Sequence, residues 1–105
     1  MLIYKICTEK LWEETQRTGL FRGMPIDIND GYVHLSTAEQ LSETARKYFA
    51  GQTGLVVLTI DSEKLGADLR WEPSSSGSRT GNFPHLYGSL NMDDVLNVEP
   101  LMVKQ

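Results

Sequence analysis

Cysteine is almost absent from this sequence. Cys7 is the single one among 105 residues, which excludes an intramolecular disulfide and any multi-cysteine metal site, and agrees with a reducing compartment. Long apolar runs are missing as well. No segment approaches the roughly 20 residues that a membrane-spanning helix needs, and "MLIYKICTEK" has no charged leader followed by an apolar stretch. The expected location is therefore the cytoplasm, with no membrane partner. Positive charge is scarce: 10 Lys and Arg stand against 14 Asp and Glu, a formal charge of −4. That balance provides no global cationic field for tight nonspecific nucleic-acid binding. Neither G-x-G-x-x-G nor G-x-x-x-x-G-K-[ST] occurs, so Rossmann-type dinucleotide binding and P-loop chemistry lack their glycine frameworks. H-E-x-x-H is absent too, and with only two histidines no metal site is predicted.

What is present suits one globular domain spanning 1–105. Hydrophobic residues make up 40% and charged residues 23%, far from the low-hydrophobicity, high-charge signature of disorder. Leu2 to Thr8 alternates with period two and predicts a strand. Thr8 then caps a helix over about 9–18, with Leu11, Trp12 and Thr15 facing the core and Gly19 as its stop. Residues 20–31, "LFRGMPIDINDG", lack periodicity and are expected to form a long loop. A short strand from Tyr32 to Leu35 runs into "STAE", which matches a capping box of Ser36 with Glu39 and opens a helix over 37–50. That helix is expected to bury Leu41, Ala45, Tyr48 and Phe49 and to end at Gly51.

The most apolar strand, 54–61, is apolar on both faces and expected at the sheet centre. "ADLRWEP" supplies a further strand stopped by Pro73. The small, polar stretch 74–82 is expected to be a mobile loop, followed by "FPHLYG", a turn over 91–96 and a last strand over 97–103. Strand, helix, strand, helix, then mainly strands argues for an α+β fold with an antiparallel or mixed sheet and two main helices.

The two histidines sit in matching surroundings. "DGYVHLST" places Tyr32, His34 and Ser36 on one strand face and Val33 and Leu35 on the other. "FPHLYG" does the same with Phe83, His85 and Tyr87 against Pro84 and Leu86. Solvating both histidine faces would expose a patch of aromatics, whereas aromatic walls with a few directed polar groups make a small-molecule cleft. The alternatives are two satisfied histidines on an outer sheet face, or a protein interface. Ser36 and Thr37, at the start of a helix, are candidates for holding an anion. Arg70 and Glu72 share a face in "DLRWE", offering a guanidinium for phosphate or carboxylate and a carboxylate for a ribose hydroxyl. Arg79, in the polar loop, is a candidate to close over a ligand.

"DGYVHLSTAEQL", "TARKYF", "LVVLTID", and "WE" followed by "FPHLYG" together resemble the family called domain of unknown function 952, over about Ile3 to Leu101. That family is similar in fold to the ADP-ribosyltransferase superfamily of NAD-dependent toxins, poly-ADP-ribose polymerases and tRNA 2′-phosphotransferases. The resemblance implies a split sheet around a cleft for NAD, and an NAD-dependent ADP-ribosyl or 2′-phosphate transferase. In that frame His34 matches the early-strand polar residue, Tyr32 or Tyr87 a wall that stacks on nicotinamide, and Ser36 a phosphate contact at a helix end. His34, His85 and Glu72 are the candidate catalytic residues. Tyr32, Ser36, Thr37, Arg70, Arg79 and Tyr87 are the candidate ligand contacts, and the ligand class is a small nucleotide. "RWE" differs from the separated E-x-E of the toxins. A binding module that retains the cleft without chemistry is the alternative, and the oligomeric state stays open.

Overall fold

Alternating apolar residues set β1 (Leu2–Thr8) as a strand buried on both sides. In the computed structural model, which describes residues 1–74 and 79–102, β1 pairs antiparallel with β4 (Leu55–Asp61). β4 pairs on its other edge with β8 (Val95–Leu101), so the strand that is apolar on both faces lies at the centre. One face of this sheet, carrying Ile3, Cys7, Val56, Leu58 and Ile60, packs against Leu11 and Trp12 of α1 (Glu9–Thr18). The opposite face, with Ile6, Leu55 and Val57, packs against Leu41, Ala45 and Phe49 of α3 (Ala38–Phe49). The period-two pattern of the strands thus meets a helix on each side.

A second antiparallel sheet has the order β3 (Val33–His34), β6 (Asn82–Leu86) and β5 (Leu69–Pro73). Val33 and Leu86 turn into the first helix-covered core, together with Phe21 and Leu90 of the two-stranded ribbon β2 (Leu20–Phe21) and β7 (Leu90–Asn91). The two larger sheets meet at an isolated bridge between Tyr4 and Ser36. There Tyr4 N donates to Ser36 O at 2.8 Å and Ser36 N donates to Tyr4 O at 2.9 Å. The result is an α+β arrangement of separate antiparallel sheets with several helices.

Several local expectations are corrected. Residues 20–31 are not one loop: they hold β2 and a short helix, α2 (Pro25–Asp30). Pro25 supplies the preset φ of a first helical position, and the Asp27 carboxylate accepts from Met24 N at 2.7 Å, closing the helix start. Gly31 ends it at φ +84°, a left-handed turn that costs glycine nothing. The helix after β3 is capped by Thr37, not Ser36. The Thr37 hydroxyl accepts from Gln40 N, while Gln40 Oε1 accepts from Thr37 N. Ser36 is held in the bridge to Tyr4, so the cap falls one residue later and Gln40 takes the place expected of Glu39. Tyr48 is 44% exposed instead of buried. β8 starts at Val95, and Val103, where a strand was expected to end, lies outside the described residues, as do 75–78 of the polar loop.

Lys5 is the exception in the apolar pattern of β1. It shares a strand face with Ile3 and Cys7 and is 4% exposed, as is Asp27. Its Nζ donates to Asp27 Oδ1 at 2.9 Å, lies 2.8 Å from Oδ2, and donates to His34 O at 3.0 Å. Burial by itself would push the Asp27 carboxyl up, but hydrogen bonds from His34 and the Lys5 charge outweigh it and hold the group below its ordinary value of 3.8. One carboxylate therefore fastens α2 to both β1 and β3.

Asp27→Ala leaves a buried ammonium unpaired and is expected to cost about 3–5 kcal/mol in chemical denaturation, with a Lys5→Met, Asp27→Leu double variant recovering part of the loss. Because the Asp27 pKa is depressed on folding, its stabilisation is complete above pH 3.8 and is lost as pH falls below that value toward the folded pKa. Acid unfolding that is unchanged in Asp27→Asn would contradict this. Gln40→Ala is expected to cost about 1 kcal/mol through the lost cap, and Glu39→Ala less than about 0.5 kcal/mol. The reverse order in thermal melts would return the cap to Ser36.

Candidate functional site

The strand register brings the two histidines together. His34 and His85 are direct partners across β3 and β6, and Arg70 is the partner of His85 across β6 and β5. Since Val33 and Leu86 face the core, His34, His85 and Arg70 form a row on the opposite face. The imidazole centroids lie 5.6 Å apart, with the rings edge to face. Gly31 turns the chain just before β3, and the Tyr32 ring lies 4.3 Å from His85, stacked, 4.5 Å from His34 and 5.0 Å from Tyr87. Four rings form one cluster, as the paired motifs imply.

The two imidazoles differ in their partners. His34 has both ring nitrogens against carboxylates: Nδ1 is 2.8 Å from Asp27 Oδ1 and Nε2 is 2.9 Å from Asp30 Oδ2. Its backbone N–H also donates to Asp27 Oδ1 at 2.9 Å. His85 is 3% exposed and has Nδ1 2.9 Å from Glu72 Oε1. The same oxygen accepts from the Tyr87 hydroxyl at 2.7 Å. These bonds from Tyr87 and His85 hold the Glu72 carboxyl below its ordinary range, and the bond to Glu72 in turn raises the Tyr87 phenol. Burial lowers the His85 pKa below 6.5, Glu72 only partly opposing it, so the ring is neutral at pH 7. The Arg70 guanidinium lies over the Tyr87 ring, 4.5 Å from its centroid.

Two cavities flank the ring cluster. One, of about 340 Å³, includes His34, His85, Tyr4, Phe83 and, from α3, Tyr48 and Phe49 in its walls. Ser74 also lines it, its hydroxyl buried and without a hydrogen-bond partner among the described residues. The other, of about 310 Å³, is bounded by Tyr32, Tyr87, Arg22 and the backbone at Gly31 and Gly88. Arg70 and Glu72 line neither cavity, although the Glu72 side chain is one-third exposed. The single shared face expected for both motifs is thus divided: the histidines border one cavity and the tyrosines the other.

The anion contacts expected near the start of α3 are engaged within the protein. Ser36 Oγ lies 3.0 Å from Thr44 Oγ1, and the Thr37 hydroxyl is occupied in the helix cap. The capping Gln40 also donates from Nε2 to Asn82 O at 2.7 Å, closing the helix start against β6. Arg79 is not poised to close over a ligand. Its Nε donates to Glu43 at 2.6 Å and its NH1 to Thr44 Oγ1 at 2.8 Å, with the guanidinium packed on Phe83. Reading the sequence missed Lys5, Asp27, Asp30 and Ser74. Lys5 carried a signal: a lysine on a strand face between Ile3 and Cys7 requires a buried acceptor. Asp27 and Asp30 carried none, because the acceptor's position depends on where α2 packs. Among the described residues no group of three or more His, Cys, Asp or Glu is arranged to hold a metal, and no helix is long and apolar enough to cross a membrane.

The sequence profile of a family described as "Protein of unknown function (DUF952)" matches residues 6–98. The crystal structure of protein CC0527 from Caulobacter crescentus is similar at 43% identity with a TM-score of 0.89, covering 97% of this chain and 87% of that one. The solution NMR structure of CC0527 is similar at 44% identity with a TM-score of 0.83, covering 95% of this chain and 84% of that one. No curated protein matches.

The Tyr87 hydroxyl contributes most to the depression of Glu72, so Tyr87→Phe is expected to move the Glu72 titration upward toward its ordinary 4.5. Carboxyl ¹³C NMR measures the midpoint. An unmoved midpoint would show that Tyr87 does not bond Glu72 in solution.

Proposed function

The chain belongs to the DUF952 family, and from that premise we propose that it binds a ribose-bearing nucleotide of the NAD or ADP-ribose class between its two sheets and acts on it as an ADP-ribosyl or 2′-phosphate transferase of the ADP-ribosyltransferase type. The observation that carries the reading is the ring cluster of Tyr32, His34, His85 and Tyr87 set between two cavities, with the Glu72 carboxylate bonded to two of its members.

The chemistry of these residues fits such a ligand. Flat aromatic surface suits a nicotinamide or adenine ring. Two cavities, of about 340 and 310 Å³, suit an extended molecule with two ends. Glu72 Oε1 is taken by His85 and Tyr87, while Oε2 has no hydrogen bond among the described residues and is available to a ribose hydroxyl. The buried Ser74 hydroxyl, unpartnered among the described residues, is a further supporting feature, since buried polar groups nearly always find a hydrogen-bond partner. NAD bound there would supply the activated ribosyl group. The protein's part is to stack the base, hold the ribose with Glu72, and keep that carboxylate ionised through Tyr87 and His85.

A second reading, a binding module without turnover, is favoured by one specific observation. His34 has neither ring nitrogen unengaged, and the cations bordering the larger cavity, Lys5 and Arg79, are each paired with a carboxylate. Neither of these cations is then free to hold the phosphate that turnover of such a ligand would require.

Titration with NAD and ADP-ribose, followed by ¹H–¹⁵N NMR, is expected to shift the Tyr32, His85 and Tyr87 signals at millimolar ligand or below. Unshifted signals at that concentration would reject the nucleotide reading. Nicotinamide release from NAD that disappears in Glu72→Gln, with the ADP-ribosyl group recovered on an acceptor instead of as free ADP-ribose, identifies a transferase, and binding without release identifies the module.

A further inference from the structure

The two imidazoles resemble each other in sequence, yet only one presents a nitrogen to a ligand. His34 is closed at both ring nitrogens by Asp27 and Asp30, at 2.8 and 2.9 Å. It is a pin between β3 and α2. His85 is bonded at Nδ1 alone, and since Glu72 is ionised and accepts that bond, Nδ1 carries the ring proton. A neutral ring protonated at Nδ1 has its lone pair at Nε2. That atom has no partner among the described residues and belongs to a side chain bordering the 340 Å³ cavity. It is also absent from the buried, unsatisfied atoms, so it keeps some accessible surface.

We infer that His85, and not His34, touches the ligand: its Nε2 accepts a hydrogen bond from a ligand hydroxyl, Glu72 acts as the positioning residue that fixes the tautomer, and the moiety seated in the larger cavity is an uncharged hydroxyl-bearing group, a ribose in place of a phosphate. The chemistry of the walls agrees. The cavity is bordered mainly by apolar side chains such as Ile6, Ile26, Phe49 and Phe83, and its cations Lys5 and Arg79 already hold Asp27 and Glu43. A phosphate placed there would displace an existing ion pair, whereas a hydroxyl needs only an acceptor. The inference rests on the nucleotide reading for the ligand's class; the division of roles between the imidazoles stands on their bonding alone.

The charged and titratable groups facing His85 are Glu72 and Arg70 on β5, His34 on β3 and Asp30 on α2, with Tyr32 and Tyr87 beside it. Burial holds His85 below 6.5, with Glu72 opposing and His34 adding to the shift. Protonation at Nε2 replaces the acceptor with a donor. Affinity for a hydroxyl donor is therefore complete above pH 6.5 and falls as pH drops through the folded pKa of His85.

Long-range ¹H–¹⁵N NMR of the unliganded protein at pH 7.5 is expected to show His85 protonated at Nδ1 with a bare Nε2. An Nε2–H tautomer would overturn the assignment whatever binds. With ADP-ribose as the probe, affinity is expected to fall about tenfold per pH unit below the His85 pKa. His85→Gln, which places an amide oxygen near the Nε2 position, is expected to bind ADP-ribose with no such pH dependence, and His85→Phe to lose about tenfold or more at pH 7.5. Wild-type binding that stays flat through the His85 titration followed by NMR would overturn the His85 role while leaving the nucleotide reading intact. No binding of ADP-ribose at millimolar concentration would overturn both the reading and the ribose assignment.

Discussion

The buried ion pair of Lys5 and Asp27 is the constraint on which the site depends. A lysine placed by strand alternation on the core side of β1 needs a carboxylate, and the fold supplies it from α2, 22 residues later. An unpaired ammonium there would cost several kcal/mol, so α2 has little freedom to sit elsewhere. The same carboxylate accepts from Met24 N, His34 N and His34 Nδ1. Helix start, strand start and imidazole orientation thereby become one cooperative unit.

That unit shapes the space beside it. With α2 held against β1 and β3, Pro25 and Ile26 form part of one wall of the larger cavity, Thr44, Tyr48 and Phe49 of α3 form another, and Tyr4 and Ser36, which bridge the two larger sheets, line it as well. Asp30, at the end of the same helix, reaches the second nitrogen of His34. The arrangement separates the imidazoles by role. Asp27 and Asp30 immobilise His34, while the single carboxylate of Glu72 orients His85 and leaves its far nitrogen open. Tyr87 and His85 together keep Glu72 charged, and Tyr32 closes the group by stacking on His85. In this reading the aromatic and carboxylate residues recognise the ligand, and the cations chiefly hold the scaffold.

Much of the fold was legible because period and capping are local. The alternation of "LIYKICT", Thr8 before α1, Gly19 after it and the apolar "LVVL" all led to elements that form where expected. The misreadings share a physical cause. "PIDIND" is only six residues long, too short to show a helical period, and its helix depends on Pro25, the Asp27 side chain and the tertiary pairing of Asp27 with Lys5. Ser36 and Thr37 are both competent caps by chemistry, and the bridge to Tyr4 decides between them. Arg79 looked free because Glu43, its partner, is 36 residues away.

By itself the sequence determined the longer strands and helices, an α+β class with an antiparallel or mixed sheet and the presence of two like-shaped histidine motifs, since each follows from residue spacing within or between local segments. Only the tertiary structure decided that the motifs pair across one register, that Glu72 and Tyr87 join His85 while Asp27 and Asp30 take His34, and that Ser36, Thr37 and Arg79 are engaged elsewhere. Those outcomes hang on hydrogen bonds and ion pairs between residues distant in the chain. Such contacts form within a few ångströms or not at all, and no local pattern encodes their distances.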